Sequence, residues 1–450
     1  MKRIFLFLLL IGMYGALSCT DDDSFSTDPH NLLSFSADTL KMDTVFSTIA
    51  SSTYSFWVFN NSDDGIRLQS VRLRSGNQTG FRVNVDGSYL DNSLGSVVHH
   101  LEVRRGDSLR VFVELTAPET SQPDPQVVED WLVFSLESGV EQQVCLRAWA
   151  WDALQLRNLV VGSDTVIESE KPLIVYGGIQ IDSAATLTIR NSTLYFHEGK
   201  GIDVYGRLLT DSVTLRGDRL DHMFDYLPYD RVSDQWGQTG GVVFHSSSTG
   251  NVLRNTEIHN AGQYGIRCDS AAYDSTAYRI DMERCVIHNC AGTGLASSNS
   301  NIRLNRCQIT NTQGDCLNVM GGHAEINRCT LAQFYPLTAA RGAALRFGNT
   351  SPLYGFFCDS SIVTGYADDE VWAVLHEDTT RLFEYRFTNS LLRTPRVESA
   401  DSVRFANIIW ESAKDSIQGK QHFRLIDEQN LIYDFRLDSL STAQGLGCYE

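Results

Sequence analysis

The sequence predicts an all-β protein, with an N-terminal Ig-like β-sandwich followed by a right-handed parallel β-helix of about ten coils. Two observations predict this architecture. Residues 35–152 contain short segments in which apolar and polar residues alternate between turn-forming residues, a pattern typical of half-buried strands. Residues 153–450 differ from the preceding residues because part of this stretch repeats every 22 residues. That length fits one coil built from two or three short strands.

The N-terminus has the layout of an export signal. Lys2 and Arg3 precede an uncharged apolar run over residues 4–17, which is short for a membrane span. Ala16-Leu17-Ser18-Cys19 then places a cysteine directly after a small-residue cleavage site. We therefore predict a signal peptide over residues 1–18, lipidation of Cys19 and a tether over residues 19–34. The alternative is an ordinary signal peptide followed by an incidental cysteine.

An acidic run, Thr20-Asp21-Asp22-Asp23, follows the predicted anchor. A charge run of this kind is ordinarily a solvated tether. It also resembles the short acidic run that marks export to the cell surface in lipoproteins of the Bacteroidetes group. That resemblance implies an outer-membrane lipoprotein that faces the cell surface, and the periplasmic side is the alternative.

Charge and cysteine content exclude several classes of function. A net charge of −18 argues against nucleic-acid partners and against electrostatic binding to an acidic membrane surface. Lipidation of Cys19 would leave nine of the ten cysteines, an odd number that cannot all pair within the chain. No CxxC pair has zinc-site spacing. The sequence leaves open the disulfide state of Cys145, Cys268, Cys290, Cys316, Cys358 and Cys448.

Roughly seven strands are expected in the sandwich. Clear candidates run over residues 54–59, 66–73, 81–85, 109–115, 131–136 and 144–149. Turn formers such as Asp86-Gly87 and Ser138-Gly139 lie between them. The Cys…Trp…Cys spacing of antibody domains is missing, so "Ig-like" describes the architecture only.

The repeat is clearest over residues 282–289, 304–311 and 326–333, and a fourth copy covers residues 253–260. Parallel stacking at about 4.8 Å places positions one period apart directly above each other. The predicted inward columns are Thr256, Cys285, Cys307 and Cys329, and Ile258, Ile287, Ile309 and Leu331. Asn260, Asn289 and Asn311 end the strands and are expected to bond along the stack. The stacked cysteines are expected to be structural, because a disulfide requires Cβ atoms only about 3.5–4.5 Å apart.

The repeated part of the chain resembles the pectate-lyase-like β-helix superfamily. Residues 433–441 look like the final-coil segment of such proteins. The whole chain resembles Bacteroidetes surface lipoproteins in which a sandwich precedes a β-helix, on the evidence of residues 43–49, 171–176 and 217–221. Most members of that group have no established activity, so the resemblance implies location and shape more than chemistry.

Asp-Ser and Asp-Thr triplets are frequent in the sequence. They begin at Asp38, Asp43, Asp107, Asp164, Asp182, Asp211, Asp269, Asp274, Asp378, Asp401, Asp415 and Asp438. Their form resembles the O-glycosylation acceptor of exported Bacteroidetes proteins. Local side-chain turns that introduce strands are the alternative explanation.

Polysaccharide cleavage on a β-helix would require either paired carboxylates or a cation site with a basic residue. The candidate acids are Asp269, Asp281 and Asp315, with His259 and His288 predicted to stack nearby. No Asp-Asp doublet or Gly-His-Gly lies on the repeats, where hydrolases of this shape carry them. These acids are therefore expected to be solvated turn residues.

An acidic insertion over residues 218–236 is a second candidate site. It contains Asp218, Asp221, Asp225, Tyr226 and Tyr229. Calcium prefers oxygen ligands, and aromatic rings stack on sugars, so a calcium-supported glycan site is one interpretation. The spacing is not that of an EF-hand, and a plain acidic surface loop is the alternative. No other cofactor is predicted.

The third candidate is a row of arginines, Arg284, Arg306 and Arg328, which recur at one position of three consecutive units. If the cysteine that follows each of them points inward, the arginines point outward. They would form either a solvated face balanced by Glu283 and Glu325 or a contact surface for an anionic glycan.

Taken together, these features predict a non-catalytic surface lipoprotein that binds a glycan or an outer-membrane protein partner. The alternative is a polysaccharide lyase or glycoside hydrolase that acts in the β-helix groove.

Overall fold

The structure is a computed structural model that describes residues 24–197, 199–220 and 241–449. It divides into two compact units, Met1–Thr120 with Pro125–Ala150, and Ser121–Asp124 with Trp151–Glu450. The predicted signal peptide, Cys19 and the acidic run lie outside the described residues. Within the described ranges, no helix is long and apolar enough to cross a bilayer.

The first unit contains two five-stranded sheets, ordered β1-β3-β8-β5-β6 and β2-β10-β9-β4-β7. Its strands are β1 (Leu33–Phe35), β2 (Thr39–Phe46), β3 (Tyr54–Asn60), β4 (Ile66–Leu73), β5 (Phe81–Val85), β6 (Ser88–Tyr89), β7 (Val97–Val103), β8 (Ser108–Leu115), β9 (Gln126–Leu136) and β10 (Glu141–Trp151). Buried residues from both sheets, including Phe81, Val111, Phe134 and Leu146, share one core. This is a sandwich-like arrangement.

All six strands predicted with clear bounds are present, but the unit has ten described strands and not seven. The strands β1, β2, β6 and β7 were not predicted from the sequence. β7 contains the adjacent, exposed His99 and His100, and β1 and β6 are only three and two residues long. Such strands are held by their neighbours in the sheet and lack a full apolar alternation of their own.

The second unit contains a 22-stranded sheet. Its strands are β11 (Leu154–Val161), β12 (Thr165–Glu168), β13 (Leu173–Ile181), β14 (Thr186–Phe196), β15 (Ile202–Val204), β16 (Arg207–Gly217), β17 (Val242–Phe244), β18 (Asn251–His259), β19 (Tyr264–Cys268), β20 (Ile280–Glu283), β21 (Val286–His288), β22 (Thr293–Asn305), β23 (Gln308–Thr310), β24 (Leu317–Asn327), β25 (Thr330–Gln333), β26 (Leu345–Asp359), β27 (Ile362–Gly365), β28 (Val371–Val374), β29 (Phe383–Thr388), β30 (Leu391–Arg393), β31 (Phe405–Ala406) and β32 (Ile409–Glu411). The strands pair in parallel between successive coils.

The parallel pairs form three faces, which the chain visits in turn. Face 1 includes β21, β23 and β25, face 2 includes β17 and β19, and face 3 includes β20, while longer strands such as β22 bend from one face to the next. Following the pairs within the described residues gives eleven segments on face 1, nine on face 2 and ten on face 3. This agrees with a parallel β-helix of about ten coils.

The predicted inward columns are buried. Ile258, Ile287, Ile309 and Leu331 are each 0% exposed and belong to one core that runs along the β-helix. The 22-residue register that predicted them is present, because Val286 pairs with Gln308 and Gln308 pairs with Thr330. Each coil therefore buries its apolar side against its neighbours.

The turn from face 3 to face 1 uses the left-handed backbone conformation in nine consecutive coils. The residues with positive φ at this turn are Asn191, Ser212, Asn255, Arg284, Arg306, Arg328, Ser360, Asn389 and Asn407. Asn is the residue other than glycine that adopts this conformation most readily. The turn thus explains why Asn recurs in the sequence at this position.

The residue after this turn points inward and caps the turn. In seven of the described coils its side chain donates a hydrogen bond across the left-handed residue to the carbonyl two positions back. The thiol of Cys307 lies 3.4 Å from the Asn305 carbonyl oxygen, and the hydroxyl of Ser361 lies 2.8 Å from that of Asp359. Cys329 and Ser390 make the same contact. The inward column is therefore occupied by small side chains that donate a hydrogen bond to the turn. All nine described cysteines are free thiols.

The chain after β32 leaves the β-helix. A 3₁₀ helix (Gly419–His422) leads into β33 (Phe423–Asp427) and β34 (Ile432–Leu437), which pair antiparallel. Two further 3₁₀ helices cover Asn92–Leu94 and Ala400–Arg404. The expectation that residues 433–441 close the last coil was wrong, because this segment folds back over the outer side of face 1. There Phe423 and Phe435 pack with Phe334, Ile362 and Leu391.

A buried ion network fixes the start of this C-terminal segment. Arg393 at the end of β30 and Glu411 at the end of β32 are 5% and 3% exposed and lie 2.5 Å apart. The second oxygen of Glu411 accepts a hydrogen bond from Thr364 and lies 3.4 Å from His422 Nε2. A buried charge is tolerated only with such partners, so the network ties the segment to three coils.

Candidate functional site

The three predicted arginines lie on the left-handed turn. Arg284, Arg306 and Arg328 have φ of 52°, 53° and 51°, and the cysteine after each of them is buried, so their side chains point outward as predicted. Arg284 is exposed, and the other two are half-buried. Arg284 donates to Glu283 at 2.7 Å and to the Asn255 side chain at 2.8 Å.

Residues 218–220 of the predicted acidic insertion lie within the described residues, and Asp218 is the candidate site residue among them. Asp218 Oδ2 is 2.5 Å from Nδ1 of His197, whose ring packs against Tyr176 at 4.8 Å. Asp221, Asp225, Tyr226 and Tyr229 lie outside the described residues, so the calcium interpretation remains a prediction. Among described residues no group of three or more His, Cys, Asp or Glu side chains has the arrangement of a metal site.

The three candidate catalytic acids are each paired with a separate arginine. Asp269 lies 2.8 Å from Arg267, and His245 Nδ1 lies 3.1 Å from its other oxygen. Asp281 receives two hydrogen bonds from Arg303, at 3.0 and 2.6 Å, and Asp315 lies 2.7 Å from Arg346.

These acids also occupy different parts of the coil. Asp269 follows the end of face 2, Asp281 lies within face 3, and Asp315 precedes face 2. A retaining or inverting glycosidase instead places two carboxyl groups across one scissile bond. The structure does not bring the three acids together as such a pair.

A cavity of about 420 Å³ lies between face 1 and the C-terminal segment. Its β-helix wall consists of Glu257, Val286, His288, Gln308, Thr310 and Asn311, and its C-terminal wall of Leu431, Tyr433, Asp434, Phe435, Arg436 and Tyr449. The cavity therefore combines aromatic rings with hydrogen-bonding groups.

The last described residues form one side of this cavity by crossing three coils. The Gly447 amide donates to the Ser360 carbonyl at 2.9 Å, and the Cys448 amide donates to the Thr330 hydroxyl at 3.2 Å. The Tyr449 hydroxyl then donates to the Gln308 side chain at 2.9 Å. Each contact is one coil further back, so this strap holds the Tyr449 ring at the cavity.

Hydrogen bonding and burial fix the charges on the β-helix wall. The hydrogen bond from His288 Nε2 to Glu257, at 3.0 Å, lowers the pKa of Glu257 to about 2. His259 stacks on His288 with ring centroids 5.0 Å apart, as the sequence predicted, and burial lowers the pKa of His259 to about 3. At neutral pH Glu257 is therefore ionised and His259 is uncharged.

The carboxylate on the opposite wall is also held ionised. Arg436 donates to both oxygens of Asp434, at 2.8 and 2.5 Å, and this bidentate contact lowers the pKa of Asp434. Burial raises the pKa of Tyr449 to about 12. Glycosidic bond cleavage needs a carboxylic acid with a raised pKa, and neither carboxylate that lines the cavity provides one.

Only part of this site was predicted from the sequence. The repeat indicated His288, whereas Glu257, Gln308, Arg436 and Tyr449 were not predicted. Glu257 and Gln308 occupy outward positions beside inward isoleucines, and that alternation was the available signal. No local pattern connects Arg436 or Tyr449 with the coils, because the contact is made only when the C-terminal segment folds back.

Comparison with known proteins supports the β-helix. Residues 162–331 match the family model of the right handed beta helix region, and these residues include the repeated coils. This match and the parallel stacking of β11 to β32 support a right-handed β-helix over this part of the chain. No curated protein matches the sequence.

Three solved structures that are similar to this chain are each at most 10% identical to it. PapD-like domain 7 of human CEP192 is 10% identical over 27% of this chain and 87% of that chain, with a TM-score of 0.19. A family 123 glycoside hydrolase from Clostridium perfringens is 8% identical over 29% and 30%, with a TM-score of 0.20. The catalytic unit of a GH87 alpha-1,3-glucanase from Streptomyces thermodiastaticus is 10% identical over 81% and 90%, with a TM-score of 0.29.

Proposed function

We propose that this chain is a non-catalytic, lipid-anchored glycan-binding protein of the outer membrane that faces the cell surface. Its binding site is the cavity between face 1 and the C-terminal segment. Cys19 would carry the anchor, and the charge of −18 disfavours nucleic acid as a ligand.

The observation that carries the proposal is the combination of groups around the cavity. A ring such as Tyr449 offers an apolar surface for the face of a sugar. Gln308, Thr310 and Glu257 offer acceptors and donors for its hydroxyl groups. A cavity of about 420 Å³ lies in the range of small-molecule sites.

Binding without turnover is favoured by the protonation states. Glu257 and Asp434 are both held as carboxylates, by His288 and by Arg436. Neither can donate a proton to a leaving glycosidic oxygen at neutral pH. The site can therefore accept hydrogen bonds from a sugar while it lacks the general acid that cleavage requires.

Calorimetric titration of the purified protein with a panel of soluble oligosaccharides tests the proposal. Wild type should bind at least one of them, and Tyr449→Ala should weaken that binding about tenfold, equal to about 1.4 kcal/mol. Tyr89→Ala is the matched control, because Tyr89 is 49% exposed in the first unit. Binding that Tyr449→Ala leaves unchanged would place the ligand elsewhere.

Chromatography of the same mixtures after long incubation tests catalysis separately. Intact oligosaccharides are expected. Shortened or unsaturated products that disappear in Glu257→Gln would show that the protein is an enzyme and overturn the non-catalytic assignment. Affinity purification from the native envelope would identify outer-membrane protein partners.

A further inference from the structure

A smaller cavity lies at the turn from face 2 to face 3 of the β-helix. It has a volume of about 170 Å³, and its lining includes residues 246–249, residues 271–274 and Arg279. None of its lining residues belongs to the cavity at face 1. Sites for drug-sized ligands occupy roughly 300–1,000 Å³, so this cavity suits a single compact group.

Arg279 gives this cavity a buried positive charge. Only 7% of the residue is exposed. Its Nη1 donates to the carbonyl oxygens of His245 and Ser246, at 2.6 and 2.9 Å, and to that of Ser248. Among the described residues, Nε and Nη2 make no hydrogen bond, and no carboxylate forms an ion pair with the guanidinium. The two donors that together match an oxyanion are therefore unused.

The carboxylate that interacts electrostatically with Arg279 is Asp269, which has other partners. Arg267 donates to one of its oxygens at 2.8 Å, and His245 lies 3.1 Å from the other. Burial of the guanidinium outweighs this attraction and lowers the pKa of Arg279. Because a buried charge is stabilised by a directly bound counterion, an anion in contact with Nε and Nη2 would stabilise this arginine.

The coil does not require a cation at this position. The residue after Arg279 pairs with Asn251 of the previous coil and with Ile302 of the next. The positions level with Arg279 are therefore Gly250 and Asn301, which are uncharged. The fold alone thus does not explain the buried arginine.

The loop that forms another wall of the cavity is fixed by its own contacts. The side-chain amides of Asn299 and Asn301 donate to carbonyl oxygens near its two ends, at 2.6 and 3.1 Å. The Tyr273 ring lies nearly parallel to the ring of Tyr354, with centroids 3.9 Å apart and an interplanar angle of 14°. The cavity is therefore formed before a ligand enters, which reduces the entropic cost of binding.

We propose that Arg279 binds a phosphate or sulfate group in this cavity through its Nε and Nη2 atoms. Arginine matches two oxygens of such a group with two parallel hydrogen bonds. Ser246 lines the same cavity and is exposed, so its hydroxyl supplies a further donor. The inference goes beyond the proposed function, because it concerns a different cavity and a charged group.

Calorimetric titration of the protein with sodium phosphate, at an ionic strength held constant with sodium chloride, measures this binding. Wild type should bind phosphate saturably, and Arg279→Gln should bind it at least about tenfold more weakly. Arg207→Gln is the matched control, because Arg207 is exposed and donates to the Gly250 carbonyl of the same turn at 2.6 Å. Wild type that does not bind, or equal weakening in both variants, would overturn the proposal.

A second variant leaves Arg279 and its carbonyl bonds in place. Asp274 lines the cavity, and its Oδ1 accepts hydrogen bonds from the amide and the hydroxyl of Thr276, at 2.8 and 2.6 Å. Asp274→Asn keeps this acceptor and removes a negative charge, so it should tighten phosphate binding about two- to fivefold. Unchanged or weaker binding would place the ion outside this cavity and overturn the proposal.

Further titrations separate this site from the proposed glycan site and identify the source of the group. Tyr449→Ala should leave phosphate binding unchanged, whereas a parallel loss would contradict a separate site. Glucose should not displace phosphate, and displacement would overturn the assignment to an oxyanion. Sulfate and glucose 6-phosphate should both compete with phosphate. Tighter binding of glucose 6-phosphate than of phosphate would support a sugar ester packed on Tyr273, and equal binding would support the free ion.

Discussion

Because side chains of the inward column cap the turns, we predict that a buried cysteine of this column can be replaced by serine at little cost in stability. Cys307 is 1% exposed, and replacing a buried cysteine with serine would ordinarily place a hydroxyl without a partner in an apolar core. Here the Asn305 carbonyl lies within reach of the thiol, and Ser361 and Ser390 already make this contact in later coils, at 2.8 and 2.7 Å. Cys307→Ser should therefore retain a satisfied hydrogen bond.

The control position for this substitution is Cys268, which is also 1% exposed. Among the described residues, no side-chain hydrogen bond to its thiol is present. A buried hydroxyl without a partner costs about 1–3 kcal/mol, whereas a formed hydrogen bond contributes about 0.5–1.5 kcal/mol. We therefore expect Cys307→Ser to cost less than about 1 kcal/mol and Cys268→Ser to cost about 1–2 kcal/mol more.

Urea denaturation followed by circular dichroism in reducing buffer measures both free energies of unfolding. Cys307→Ala, which removes the donor without adding a hydroxyl, separates the capping bond from packing and should cost more than Cys307→Ser. Equal losses for serine at the two positions, or a larger loss at position 307, would refute the capping argument.

Three other predictions concern anchoring, coil architecture and pH. Cys19→Ala should move the protein from the membrane to the soluble fraction, and a variant that stays membrane-bound would exclude lipidation as the anchor. Protease added to intact cells should degrade wild type if the protein faces the surface. Deleting residues 286–307 should remove one coil and leave cooperative unfolding intact, whereas Ile309→Asp should abolish folding by burying an unpaired charge. Because burial lowers the pKa of His259 to about 3, the unfolded chain binds a proton below about pH 6.5 that the folded chain does not. The free energy of unfolding should thus fall by about 1.4 kcal/mol per pH unit as the pH decreases from 6 to 4. Below about pH 4.5 the decrease should be steeper, because the unfolded chain also binds a proton at Glu257, whose pKa in the folded chain is about 2. His259→Gln should make the free energy of unfolding less dependent on pH.

The repeat made the β-helix predictable from the sequence. Ile287, Ile309 and Leu331 recur every 22 residues because each must fill the same place in successive coils. The same inward position is therefore visible in three consecutive repeats of one sequence. The outward direction of Arg284 followed from the inward direction of Cys285 by simple alternation.

The cavity could not be predicted in the same way. Gln308 and Tyr449 are separated by 141 positions in the chain, and nothing near either residue indicates that they meet. Their contact depends on the hairpin of β33 and β34 folding back over face 1, which is decided by the burial of Phe423 and Phe435 against Phe334. This segment was assigned to a last coil from its resemblance to the final coils of β-helix proteins, and its alternation does not decide the matter, because alternation suits parallel and antiparallel strands equally.

The sequence by itself determined the strand-rich composition, the coil length and which side of each repeated strand is buried, because these follow from local periodicity. Only the tertiary structure decided that the recurring Asn and Arg residues form left-handed turns, that the column of cysteines caps those turns, and that Glu257 is ionised beside His288. These properties depend on distances between coils and on burial, which arise only when segments far apart in the chain come into contact.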